Sequence, residues 1–282
     1  ISDAETKFSV KTVRWNKNGK TEVSSSDIAG GVGIVFSLFI YMFILSYGGM
    51  VMQGIVEEKT NRIVEIMVSS VKPWQLMIGK ITGVAFVGLF QFLIWILMLT
   101  SIVAIAGTVF GVASTGGAIP MSGMTPDISQ GAGLEFLQII QGMNFVEIII
   151  LFIFYFIGGY LLFASIFAAI GASINEQQDA QQFMMPIILI FVFALYAGMF
   201  SIQNPDGPLA IWCSFIPFTS PVVMMVRVPF DLPLWQIAVS LLLLYGTSAL
   251  IIWLSSKIYR VGILMYGKKP TFKDRLKWLK YK

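Results

Sequence analysis

Glu57-Glu58-Lys59-Thr60-Asn61-Arg62-Ile63-Val64-Glu65-Ile66-Met67 decides how the rest of this 282-residue chain is read. This charged stretch lies between two long runs, residues 28–56 and 81–126, that contain no Asp, Glu, Lys or Arg. Each run exceeds the roughly 20 residues a helix needs to cross a bilayer. A charged segment joining two such spans cannot lie in hydrocarbon. It is therefore expected at a membrane face, as an amphipathic helix that a soluble partner can touch, which suggests a machine driven from outside the membrane.

Composition points the same way. The chain is 56% hydrophobic and 12% charged, with a mean hydropathy of +0.80, whereas soluble domains carry about 25% charged residues. Strands of a membrane barrel would alternate apolar and polar over about ten residues. These runs are apolar on every side, so the predicted fold class is an all-α polytopic membrane protein. One cysteine, Cys213, and no histidine exclude an internal disulfide, a Cys/His zinc site and histidine-based catalysis. The formal charge of +4 comes from the chain ends and is not read as nucleic-acid binding.

Five transmembrane helices are predicted, at about 28–53, 79–109, 145–174, 183–202 and 235–256. In the polar segment 1–27, Asn18-Gly19 between β-prone runs is a hairpin signal. A lone hairpin is marginal, so this segment is expected to be the β-containing remnant of a larger extracytoplasmic domain. The start at Ile1, with no initiator Met or signal peptide, is taken to mean that an amino-terminal part is missing. Residues 28–258 form the membrane domain, and 259–282 form a basic tail of the usual juxtamembrane kind that anchors to lipid.

With five spans the termini fall on opposite sides. The side with residues 54–78 and Lys80 at its border, the 175–182 loop and the tail from Lys257 holds 13 Lys and Arg, and the other holds six. The positive-inside rule puts the carboxy-terminus and the charged stretch in the cytoplasm of a multi-pass plasma (inner) membrane protein. The Gly-, Ser- and Pro-rich loop 110–143 is then external. Residues 204–234 contain six prolines yet stay apolar. They are too broken to span and too greasy for an open loop, so a re-entrant segment is predicted. Pro217 and Pro221 would set its reversal, and Arg227 would return to the outer headgroups.

On a helical wheel Glu57, Glu58, Asn61, Arg62, Glu65 and Ser69 share one stripe, with Glu58 four residues before Arg62 in the favourable order. A helix resting on lipid headgroups is the plain alternative. Such helices favour Lys and Arg on the polar face, whereas here Glu57, Glu58 and Glu65 face Lys59 and Arg62. A protein partner suits that stripe better. Glu147, near the outer end of the third span, is either a favourable charge at a helix amino-terminus or a contact at a pathway mouth. Glu176 and Asp179 form either a plain turn or a second cytoplasmic contact. Gly262 to Lys269 nearly matches the phosphate-binding loop pattern, but Lys269 stands where Ser or Thr is required and no strand precedes it. Gly79/Gly83, Gly107/Gly111 and Gly158-Gly159 allow close helix approach.

Taken together, Glu58 to Glu65, Pro73, Gly79-Lys80, Asp179-Ala-Gln-Gln182 with Pro186, Pro217-Phe-Thr-Ser-Pro221 and Tyr259 to Pro270 resemble the type-2 ABC exporter permeases, most nearly the Nat-type sodium-efflux branch. The resemblance covers about residues 28–282. It implies six spans, with a large extracytoplasmic domain between the first two, of which this chain carries the last five. It implies a pair of permease copies, identical or not, on two separate cytoplasmic ATPase subunits that hold ATP and magnesium, with no cofactor on this chain. It also implies that Glu57 to Ser70 is the coupling helix that docks on the ATPase, and that about Pro208 to Pro229 is the re-entrant element.

The expected function is the transmembrane permease subunit of an ATP-driven exporter, itself performing no covalent chemistry. One rival is a secondary transporter or channel driven by an ion gradient, which would place ionisable groups deep in the membrane. Another is an intramembrane enzyme, which would need a nucleophile with a base, or paired carboxylates, within the spans. A non-catalytic scaffold is the third.

Overall fold

The structure is a computed structural model. It describes residues 13–15, 21–23, 26–63, 70–109, 144–174, 177–230 and 232–263. The Asn18-Gly19 turn, Glu65, Glu176, the 110–143 loop and the basic tail beyond Ile263 lie outside the described residues.

Five long helices dominate: α1 (Ser26–Thr60), α2 (Pro73–Val109), α3 (Phe145–Ser173), α4 (Gln177–Gln203) and, after two short ones, α7 (Leu234–Gly262). Each has an 18-residue window of mean hydropathy 2.1 to 2.4, so all five are long and apolar enough to cross a membrane. Helices are what such sequences must form in lipid, where every backbone N–H and C=O needs a partner within its own segment. The shortest, α4, has 27 residues, or about 40 Å at 1.5 Å per residue, beyond the roughly 30 Å of hydrocarbon. All but α3 overrun the predicted spans because polar turns continue them: α1 runs on through Glu57 to Thr60, α2 starts at Pro73 with proline in its first turn, and α4 starts at Gln177. Ahead of α1, Val13–Trp15 (β1) and Thr21–Val23 (β2) pair antiparallel, Val13 opposite Val23.

Between α4 and α7 lie α5 (Pro208–Phe215), α6 (Ser220–Arg227) and a 3-10 turn, Val228–Phe230. Pro208 and Pro221 sit in the first turns of α5 and α6, where a missing N–H costs nothing. Pro217 lies in the turn that joins the two helices. There the Thr219 hydroxyl donates to the Cys213 carbonyl at 2.6 Å, using one of the orphan acceptors at the end of α5.

The chain divides into two compact units, and the long helices α1, α3, α4 and α7 pass through both. The first holds residues 1–40, 126–155 and 190–243, including α5 and α6. Every residue of α6 is buried. Gly33 of α1 packs so tightly on it that a Cβ there would lie 2.6 Å from the Val226 carbonyl oxygen. Phe215 of α5 stacks on Trp235 of α7, ring centroids 6.1 Å apart.

The second unit holds residues 41–125, 156–189 and 244–282. An aromatic cluster forms its core: Phe43 of α1 meets Phe92 and Trp95 of α2 and Phe156 of α3 edge-on, at 5.6 to 6.3 Å. Two hydroxyls cross between helices. Tyr160 donates to the Ile81 carbonyl and Ser248 to the Gly158 carbonyl, both at 2.9 Å. In lipid, packing and such bonds replace the hydrophobic effect as the force between helices. Of the glycines expected at helix contacts, Gly158 meets Leu244, whereas Gly79 and Gly83 face open space.

Candidate functional site

The Glu57–Ile63 stretch belongs to the second unit. The predicted continuous stripe from Glu57 to Ser69 is broken early. Helix α1 ends at Thr60, Asn61 and Arg62 form a turn, and the chain is helical again at Ile63. Arg62 stands at φ 56°, the left-handed conformation that commonly stops a helix and usually falls to glycine. For a residue with a Cβ it costs about 1–2 kcal/mol. Arg62 therefore no longer lies one helical turn above Glu58. Glu58 pairs instead with Lys80 of α2, at 2.5 Å.

Lys59 departs further from expectation. The sequence gives it to the exposed charged stripe, but it is buried. Its ammonium donates to the carbonyl of Ala172 at 2.7 Å and to that of Gly262 at 2.9 Å. Ala172 is in the last turn of α3, and Gly262 is the last residue of α7. Those carbonyls are the orphans every helix leaves at its carboxy-terminus, where the helix dipole also favours a cation. Lys59 sits in the last turn of α1 as well, so one ammonium ties the end of α1 to the ends of two other helices. Close packing makes this reach possible. A Cβ on Gly262 would lie 2.9 Å from the Ala172 oxygen, and one on Gly171 would lie 2.9 Å from the Met52 oxygen.

Of the remaining residues read as partner contacts, Glu57, Asn61 and Arg62 are exposed. Asp179 is half-buried in the first turn of α4. A cavity of about 240 Å³ opens near it in the same unit, lined by Gln53, Gln178, Ala180, Gln181 and Met184. Three carboxamides supply donors and acceptors without net charge, so the cavity does not select for the sign of a ligand's charge.

In the first unit, Glu147 is half-buried in the first turn of α3. Arg227 was expected at the headgroups and is instead completely buried. Its Nε donates to the Pro205 carbonyl at 2.7 Å, Nη1 to the Ser214 hydroxyl at 2.8 Å, and Nη2 to Gln236 Oε1 at 3.0 Å. The exposed carboxylate of Asp206 stands 3.7 Å from Nη2. The rigid fork of guanidinium donors is satisfied by groups that converge from three directions, which a headgroup position would not offer. Ser240 of α7 extends the network, bonding to the Ser214 carbonyl at 2.8 Å and the Ser220 hydroxyl at 2.7 Å. Sequence reasoning missed this cluster. The one available signal was a lone cation in an apolar proline-rich stretch, followed by Gln236 in the first turn of α7. Among the described residues no group of three or more His, Cys, Asp or Glu could hold a metal ion.

Long apolar helices, polar groups held mainly at helix ends and on a short buried helical hairpin, and a charged turn between the first two spans define a multi-pass membrane protein. Residues 2–257 match the family described as ABC-2 family transporter protein, and the chain belongs to that family. It is 28% identical over 253 residues to the uncharacterized protein YhaP of Bacillus subtilis, covering 89% of this chain and 56% of YhaP. It is 29% identical over 247 residues to the uncharacterized protein MJ1024 of Methanocaldococcus jannaschii, covering 87% of this chain and 52% of MJ1024. The chain thus spans about half the length of the curated relatives it matches. No solved structure matches it.

Proposed function

We propose that this chain is the permease part of an ATP-driven exporter, with ATP and magnesium bound by a separate cytoplasmic ATPase subunit. One observation carries the reading. The segment between the first two spans leaves α1 through an exposed turn at Asn61 and Arg62, directly after Lys59 is anchored among helix ends. A partner pressing on Glu57 and on the segment beyond Arg62 would push on the bundle at one fixed place. Membership of the ABC-2 transporter family supports an ATPase partner.

The finer parts of the reading follow from the sequence. The Lys59 end faces the cytoplasm, because the Lys and Arg excess lies there. Residues 1–27 belong to an extracytoplasmic domain, 28–258 to the permease domain and 259–282 to a lipid-anchoring tail. The α5–α6 hairpin is a re-entrant element entering from the outer side. Two permease copies work together, and sodium is the substrate suggested by the Nat-type resemblance.

Affinity purification of the full-length protein from its native membrane, probed for a bound ATPase subunit, tests this. The two should co-purify, and hydrolysis should be lost when the ATPase carries a defective nucleotide site. Transport by the purified chain in vesicles without any ATPase would overturn the reading in favour of an ion-gradient-driven carrier or channel.

A further inference from the structure

Glu58 and Lys59 are neighbours in sequence, and between them they reach three other helices. Glu58 holds Lys80, in the second turn of α2. Lys59 holds the terminal carbonyls of α3 and α7. Two residues later Arg62 turns the chain out of α1. We infer that the Glu58-Lys59 pair is the joint that makes the ends of α1, α2, α3 and α7 move as one body. Force applied beyond Arg62 is then delivered to four spans rather than to one. This rests on the proposed ATPase partnership for the source of the force, but the joint itself is a property of this chain.

The chemistry favours a joint over a simple helix cap. Capping α1 needs only carbonyls of α1 itself, and a lysine in an exposed last turn would serve. This lysine is buried, with both bonds going to other helices, and those helices are distant in sequence. A buried ammonium without acceptors is strongly disfavoured. If α3 or α7 slid away from α1, the ammonium would lose its two carbonyl acceptors. The three ends are therefore held in one arrangement. The tight approach of Gly262 to Ala172 and of Gly171 to Met52 keeps the three helix ends within reach of one side chain. Lys59 is in this sense a positioning residue.

Nitroxide labels at the exposed positions Gln53 and Arg260, in a Cys213→Ser background, read the distance between the α1 and α7 ends. Full-length protein is measured alone and with its ATPase, nucleotide-free and vanadate-trapped. The unsubstituted joint should give one narrow distance in all three states. Lys59→Met should lose that narrow distance even in protein measured alone, and Lys59→Arg should restore it. With the ATPase bound, Lys59→Met should keep ATP hydrolysis while the distance becomes nucleotide-dependent. A purely stabilising role would lower the melting temperature and leave the distance narrow. If Lys59→Met does not accumulate, Lys59→Leu, which likewise removes every donor, is read in the same way. A narrow distance in either variant overturns the joint, as does a nucleotide-driven change in the unsubstituted protein. Failure of the ATPase to bind removes the force but leaves the comparison in protein alone, so the two failures are distinguishable.

Discussion

Arg227 donates to Gln236 at 3.0 Å, joining the last residue of α6 to the first turn of α7, with the guanidinium wholly out of solvent. The bond fixes how the short hairpin meets the final span. Among the described residues the anion paired with it, Asp206, is exposed and 3.7 Å away, so neutral oxygens of Pro205, Ser214 and Gln236 do most of the work of replacing water.

Removing either partner should therefore be costly. Arg227→Met should destabilise the protein by about 3–5 kcal/mol, the usual result of breaking a buried charged cluster. Arg227→Lys should fail to rescue it, because three donors on one point cannot reach acceptors arranged around a planar fork. Gln236→Leu should cost less, about 1–3 kcal/mol, by stranding one donor. Denaturation in mixed micelles measures all three, and an unchanged midpoint for Arg227→Met would refute the assignment.

The turn after α1 gives a second test. Arg62→Gly should stabilise by about 1 kcal/mol, since glycine adopts a positive φ without penalty. Arg62→Ile should destabilise, because a β-branched side chain resists that conformation. ATPase co-purification then separates backbone from side chain. If Arg62 also contacts the partner, Arg62→Gly will weaken binding while raising stability.

Glycine positions offer a paired control. Gly262→Ala and Gly171→Ala each set a Cβ 2.9 Å from a backbone oxygen and should cost about 1–3 kcal/mol through overpacking. Gly79→Ala and Gly83→Ala meet nothing within 4 Å. They should be neutral or stabilising by up to about 1 kcal/mol, the helix propensity difference. The same unfolding assay reads all four, and equal effects at the two pairs would contradict the packing.

Orientation is tested by labelling with an impermeant thiol reagent in a Cys213→Ser background. A cysteine at Ser122 should react from outside, and one at Gln178 only after permeabilisation. Cysteines at Asp206 and Asp231 should both react from outside if the α5–α6 hairpin is re-entrant. Asp231 reacting only from the cytoplasm would mean that the hairpin crosses the membrane.

The five spans were legible because each contains a window long and apolar enough to declare itself, whatever its neighbours do. Their ends were harder to read. Charge marked Glu57 as the place where hydrocarbon stops, but helix α1 does not stop there, because the Lys59 ammonium finds carbonyls of α3 and α7 that no local pattern reveals. Glu58 was matched to Arg62 by helical spacing. Its partner is Lys80, 22 residues on, because the backbone turns at Arg62 before the spacing can apply. Arg227 was misread for the same reason: Pro205, Ser214 and Gln236 converge on it through tertiary packing, and a sequence window sees only a cation that ought to seek water.

Helix α2 has 17% of its apolar window buried, against 67% for α3. Its ties to neighbours include Lys80, Ile81, Phe92 and Trp95. Beyond these, Leu97, Met98, Ile102 and Ile105 are all exposed in the single chain. At 37 residues the helix is about 55 Å long, well over the roughly 30 Å of hydrocarbon it must match. A helix of that length meets a change in bilayer thickness by tilting, by kinking or by deforming the lipid around it. The length of the surrounding acyl chains thereby enters the energy of this helix.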